Sequence, residues 1–112
     1  LYIKEKYPDI IFTSESSGIR VPMGQARQLK KMRSCSALPD IWIMEPRRSY
    51  FGCFLEVKKE GTTIFKKNGD IRSDEHLKAQ YNILQKLQEK NYFAHFVVGY
   101  DSAIAMIDYY LG

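Results

Sequence analysis

Two β-prone segments lie next to each other in the middle of the sequence, and this pair limits the possible folds more than any other feature. Residues 39–44 (PDIWIM) and 51–58 (FGCFLEVK) are rich in β-branched and aromatic side chains, which favour strands. Residues 47–50 connect them, after Pro46 closes the first segment. A connection this short is typical of a hairpin. The sequence therefore predicts two adjacent antiparallel strands at the centre of the fold.

The segments before this pair have weaker patterns. Residues 1–6 resemble the end of a helix, which Pro8 terminates because proline cannot continue the helical hydrogen bonds. Residues 10–13 form a short β-prone run, and residues 22–35 are predicted as a surface helix with proline in its first turn. The first helix is therefore expected to be truncated in this sequence.

The segments after the pair have clearer patterns. Residues 62–72 contain Asn-Gly and predict a protruding basic β-hairpin or loop. A helix is predicted from an N-cap at Ser73 to about Lys90, and its apolar stripe is Leu77, Tyr81, Leu84 and Leu87. Residues 92–98 predict a buried strand that pairs parallel to the central sheet, because it follows a helical crossover. A last helix is expected to be capped by Asp101 or Ser102.

The resulting order is helix, strand, helix, strand, strand, helix, strand, helix. This order predicts an α/β fold with a mixed sheet of about four strands flanked by helices. With 112 residues and 45% apolar side chains, residues 1–112 are expected to form a single domain.

The composition restricts the classes of function. No run of apolar residues is long enough for a membrane helix, so no membrane partner is expected. Cys35 and Cys53 form neither a CxxC pair nor a zinc pattern, which favours reduced thiols in an intracellular protein. The formal net charge is +4, and the basic residues cluster in residues 20–33 and 58–72. Such clusters fit a phosphate backbone as well as they fit solvated faces.

Three charged residues fall at related positions on the two central strands. Asp40 begins the first strand, Glu56 lies toward the end of the second, and Lys58 follows two residues later. The antiparallel hairpin brings Asp40 beside Glu56, and the two-residue period places Glu56 and Lys58 on one face. Mg²⁺ or Mn²⁺ would compensate the cost of burying the carboxylates, and the Val57 carbonyl could supply another oxygen. The alternative interpretation of Glu56 and Lys58 is an exposed cross-strand pair.

The Pro39-Asp40 pair, followed sixteen residues after the aspartate by Glu56-Val57-Lys58, resembles the PD-(D/E)XK nuclease motif. Nearly the whole chain resembles the VRR-NUC branch of that superfamily, in the stand-alone form found in phages and prophages. The segments that carry this resemblance are residues 18–20, 38–41, 54–58, 76–80, 84–87, 92–99 and 101–111.

The resemblance implies a restriction-endonuclease-like core and a role for each site residue. Asp40 and Glu56 would bind the metal together with the Val57 main-chain oxygen, and Lys58 would be the catalytic lysine. Gln80 would orient Lys58, the attacking water or the phosphate. The residues expected to contact nucleic acid are Arg20, Arg27, Lys30, Lys31, Lys59, Lys66, Lys67 and His76.

The sequence departs from the family pattern in its first helix. That helix usually supplies an additional acidic residue to the metal site, and Glu5 is the only acid in the segment present here. The expected ligand is therefore upstream of Leu1. Trp42, Tyr109 and Tyr110 are interpreted as core or oligomer contacts, and His95 as a packed histidine.

The function that these features predict is a divalent-metal-dependent DNA endonuclease, acting in the cytoplasm of a bacterial host on branched or Holliday-junction DNA. A homodimer is expected, since paired cuts on symmetry-related strands need two active sites. Two alternatives remain at this point. One is a non-catalytic nucleic-acid-binding module on the same fold. The other is an interaction protein or subunit of a phage or restriction assembly, in which the positive charge has no role in binding nucleic acid.

Overall fold

A four-stranded mixed sheet with flanking helices forms the fold. The computed structural model describes residues 2–14 and 37–112, and all statements on structure refer to these residues. Their elements in chain order are α1 (Tyr2–Lys6), β1 (Phe12–Ser14), β2 (Ile41–Ile43), β3 (Cys53–Lys58), α2 (Glu75–Glu89), β4 (Phe93–Val98) and α3 (Tyr100–Leu111). The predicted helix over 22–35 lies outside the described residues.

The sheet has the strand order β1-β2-β3-β4. β2 pairs antiparallel with both β1 and β3, while β3 and β4 are parallel. The turn between β2 and β3 closes with a bridge from Arg47 to Tyr50, and its central residues Arg48 and Ser49 have φ values of 53° and 70°. Two positive φ angles suit a two-residue turn between twisted strands. The predicted hairpin and the parallel fourth strand are both confirmed.

One face of the sheet carries the main apolar core. Ile43, Leu55 and Val97 point from the strands toward α3, where Ile107 and Tyr110 are buried. Ile3 of α1 completes this cluster. Since α1 has only five residues, its attachment depends on Ile3 and on the Tyr2 and Tyr7 hydroxyls, which both donate hydrogen bonds to Asp108 of α3.

The opposite face is covered by α2, which packs mainly over β4. Leu77, Gln80 and Leu84 are its buried residues. Tyr81 and Leu87, which were predicted in the same stripe, are only half-buried. None of the described helices is long and apolar enough to cross a membrane.

Two helix starts differ from the predictions. The N-cap of α2 is Asp74 rather than Ser73, because the Asp74 side chain accepts a hydrogen bond from the Leu77 N–H at 2.9 Å. α3 begins at Tyr100 after the cap residue Gly99, rather than at Asp101 or Ser102. Gly99 has a φ of 85°, which lets the chain turn into the helix directly after β4.

The basic segment between β3 and α2, which was predicted as a β-hairpin or loop, is a turn closed by one isolated bridge, and we call it the basic hairpin. Its only ladder contact within the described part of the chain is the bridge from Phe65 to Ile71. Gly69 has a φ of 91° in the turn, and the Lys66 N–H donates to the Asp70 carbonyl at 2.7 Å. Phe65 packs edge-on against Tyr81 of α2, so the hairpin is attached to that helix.

Candidate active site

The ends of β2 and β3 bring the predicted acidic and basic residues together. In the register of these strands Ile41 pairs with Leu55, so Asp40 lies just beyond the last pair, toward Glu56. The Val57 N–H donates a hydrogen bond of 2.9 Å to Oδ2 of Asp40. The Asp40 carboxylate is therefore fixed next to the residue that separates Glu56 from Lys58.

Glu56 and Lys58 lie on the face that α2 covers. Side chains alternate between faces along a strand, so Val57 points to the opposite face, where it lines an apolar groove with Ile41. Glu56 is only 4% exposed. Glutamate is rarely buried to this degree, so its position on this face distinguishes it from an exposed cross-strand residue.

Lys58 is positioned by Gln80. The Lys58 Nζ donates a hydrogen bond to Oε1 of Gln80, which is 7% exposed on α2. Gln80 points to the sheet because it lies one turn from both Leu77 and Leu84, the apolar residues that attach α2 to β4. The expected proximity of Gln80 to the lysine is thus present in the structure.

The site offers three sources of oxygen ligands. Two are the carboxylates of Asp40 and Glu56. The third is the Val57 carbonyl, which points toward Asp40 because the N–H and C=O of one strand residue point to the same side. Within residues 2–14 and 37–112 no group of three or more His, Cys, Asp or Glu side chains could hold a metal ion. Glu5 is exposed on α1.

The predicted nucleic-acid contacts divide into two sets. Lys59 directly follows β3, Lys66 and Lys67 lie on the basic hairpin, and His76 lies in the first turn of α2; all four are exposed. The ion pairs Lys6–Asp108 and Arg47–Glu45 of the described residues involve none of these four side chains. The second set lies outside the described residues and consists of Arg20, Arg27, Lys30 and Lys31.

Trp42 and Phe54 share the sheet face of Glu56 and Lys58. They are partners in the strand register, and their ring centroids are 6.1 Å apart. The sequence interpretation placed Trp42 in the core or an oligomer contact and did not connect Phe54 with the site. The signal was present, because Phe54, Glu56 and Lys58 alternate along one strand.

Comparison with known proteins gives a structural match. A solved structure described as "VRR_NUC domain protein" superposes with a TM-score of 0.58 and 25% sequence identity. The match covers 83% of this chain and 66% of that one. No known family profile matches the chain, and no curated protein matches it.

Proposed function

We propose that this chain, which is similar in fold and sequence to a VRR_NUC domain protein, is a divalent-metal-dependent DNA endonuclease. The observation that carries the proposal is the hydrogen bond from the Val57 N–H to Asp40, which holds one carboxylate beside Glu56 and Lys58. We propose the cytoplasm of a bacterial host as its place of action and a phage or prophage as its source, following the stand-alone domains that it resembles.

The donor set fits a hard divalent cation. Asp40, the buried Glu56 and the Val57 carbonyl provide only oxygen, which Mg²⁺ and Mn²⁺ prefer over the nitrogen and sulfur ligands that select zinc. When bound, such an ion polarises the phosphate and lowers the pKa of a coordinated water. Asp40, Glu56 and the Val57 carbonyl are the groups that would hold this ion.

The protein side chains position the reacting groups. The Lys58 ammonium is held by Gln80 on the same face as Glu56, where it can stabilise the negative charge that develops on the phosphate. Gln80 fixes the direction of this ammonium and is itself fixed by the packing of α2. Asp40 keeps its orientation through the Val57 N–H.

The substrate we propose is branched DNA, and the assembly is a homodimer. The exposed lysines of the basic hairpin lie between β3 and α2, the two elements that carry Lys58 and Gln80, and they offer contacts to the phosphate backbone. A two-fold dimer would present two active sites to the symmetry-related strands of a junction.

The decisive experiment is cleavage of a panel of branched, flapped, single-stranded and linear duplex DNA, with Mg²⁺, with Mn²⁺ and with chelator. We expect cleavage that needs metal and that falls by about 100-fold or more in Asp40→Asn and in Lys58→Met. Lys86→Met, which removes an exposed lysine on α2 outside the site, is the matched control and should cleave normally.

The alternative function, a non-catalytic nucleic-acid-binding module, predicts a different result. The affinity for DNA would then depend on salt but not on metal or on Asp40→Asn, and no substrate in the panel would be cut. The buried carboxylate of Glu56 and the ordered contact between Lys58 and Gln80 favour the catalytic proposal, because a binding surface needs neither.

A further inference from the structure

Four aromatic side chains form a continuous row that starts at the candidate active site. Their ring centroids are separated by 6.1 Å from Trp42 to Phe54, 5.2 Å from Phe54 to Tyr92 and 5.9 Å from Tyr92 to Phe51. Each contact is edge-to-face, which is a favourable arrangement of aromatic rings. We call these four residues the aromatic row.

The strand register places this row directly beside the charged residues. Phe54 is two residues before Glu56 on β3, and Trp42 is two residues after Asp40. Two residues along a strand correspond to about 7 Å, and Phe54 and Glu56 point to the same face. Asp40 directly precedes β2, and its carboxylate accepts a hydrogen bond from the Val57 N–H of β3. A DNA strand with one phosphate at the carboxylates would therefore place the next nucleotide over Trp42 and Phe54.

The aromatic row is partly exposed to solvent. Among the described elements α2 packs mainly over β4. Phe51 is 63% exposed, while Trp42, Phe54 and Tyr92 are half-buried. The exposed Phe51 ring therefore continues into three half-buried rings, and an apolar surface of this kind can accept a flat partner.

The indole of Trp42 is held in a defined orientation. Its Nε1–H donates a hydrogen bond of 2.6 Å to the Pro39 carbonyl, in the residue directly before Asp40. The polar atom of the indole is therefore satisfied by the protein, and its ring is left for apolar contact. A ring fixed in this way loses little conformational entropy when a flat partner packs on it.

We propose that the aromatic row is a stacking surface for unpaired bases next to the scissile phosphate. Every base has a π-face that can stack on an aromatic side chain, whereas the bases of an intact duplex are stacked on each other. The position of the row relative to a scissile phosphate rests on the proposed nuclease function. The row then selects DNA in which single-stranded nucleotides flank the cut site.

Trp42 provides a direct test because it is the only tryptophan of the chain. The probes are a ten-nucleotide thymidine strand and a duplex of the same length, added to Asp40→Asn protein so that the DNA stays uncut. We expect the single strand to quench Trp42 fluorescence and the duplex to quench it much less. In the same background Phe51→Ala should weaken single-strand binding by about tenfold, the loss expected for one stacked base.

Tyr100→Ala is the matched control for loss of an exposed aromatic ring. Tyr100 is 69% exposed and lines the apolar groove on the opposite face of the sheet, so its loss should leave the affinity unchanged. Circular dichroism of both variants serves as the control that the fold is retained. Equal quenching by duplex and single strand, or equal losses in the two variants, would overturn the inference.

The cleavage panel separates this inference from the proposed function. One outcome is that the single strand quenches Trp42, that Phe51→Ala weakens the binding of this strand, and that the protein cuts no substrate. This outcome would support the stacking surface and reject the nuclease. Metal-dependent cleavage without any quenching of Trp42 would support the nuclease and reject the stacking surface.

Discussion

The hydrogen bond between Lys58 and Gln80 connects α2 with the strand that carries Glu56. Gln80→Leu removes the acceptor and retains most of the side-chain volume, so the ammonium loses its fixed direction while α2 stays packed. We expect the cleavage rate at saturating DNA to fall by about tenfold, as for the loss of one hydrogen bond to a charged group. Single-turnover kinetics should locate this loss in the chemical step.

Gln80→Glu is the matched variant because it retains an oxygen acceptor at the same position. Its cleavage rate should fall less than that of Gln80→Leu, because the ammonium keeps its direction although the added carboxylate offsets part of its charge. The affinity of both variants for uncut DNA in chelator should be unchanged, since Gln80 is buried and does not face the backbone contacts. A Gln80→Leu variant that loses affinity but not rate would contradict the positioning role.

The site residues could be predicted to different degrees at this scale. Asp40, Glu56 and Lys58 could be predicted from the sequence, because strand alternation and an antiparallel turn fix their relative positions. Gln80 was named only from the family resemblance, since nothing in a helical pattern distinguishes a buried glutamine from a surface one. Phe54 was not assigned to the candidate site, because an aromatic residue on a central strand is normally expected in the core.

At the scale of single elements, the start of α2 depends on one side chain. The backbone hydrogen bond from Leu77 lowers the pKa of Asp74, so the charged form is favoured in the folded chain. This stabilisation is complete above the unfolded pKa of about 3.9 and is lost as the pH falls through the lower folded pKa. Asp74→Ala should lower the Tm by a few degrees at pH 7.

Ser73→Ala is the control for this prediction, because Ser73 is exposed and precedes the cap. Its Tm should equal that of the wild type. The Tm difference between wild type and Asp74→Ala should shrink as the pH is lowered through the titration of Asp74. Equal losses of Tm in both variants would show that Ser73 contributes to the cap as much as Asp74, which would contradict the prediction.

The elements themselves were predicted better than their ends. Residues 39–44 and 51–58 contain the observed strands, but β2 is only Ile41–Ile43 and β3 begins at Cys53. Ladder pairing depends on the neighbouring strand, and residue preferences do not contain this information. The start of α3 at Tyr100 depends on the backbone conformation of Gly99, which the preference of Asp101 and Ser102 for cap positions does not reveal.

For the whole molecule, the sheet separates two environments. The face toward α1 and α3 holds the main apolar core, with Leu55 and Tyr110 fully buried. The opposite face holds Glu56, Lys58 and the aromatic row. Along β3, every second residue therefore packs in the core and the residues between them face the candidate site. A shift of one residue in the strand register would disrupt both the core and the site.

The reactivity of the Cys53 thiol measures how often the centre of the sheet opens. Cys53 is fully buried at the start of β3, between β2 and β4, and burial raises the pKa of its thiol to about 12. The thiolate is the reactive form, so in a Cys35→Ser variant Cys53 should react with a disulfide reagent about a thousandfold more slowly than a small thiol. Added denaturant should increase the rate in step with global unfolding, because the surrounding core must open first. Fast labelling of the native variant without denaturant would mean that the centre of the sheet opens on its own, and the fixed spacing of Asp40, Glu56 and Lys58 could then not be maintained.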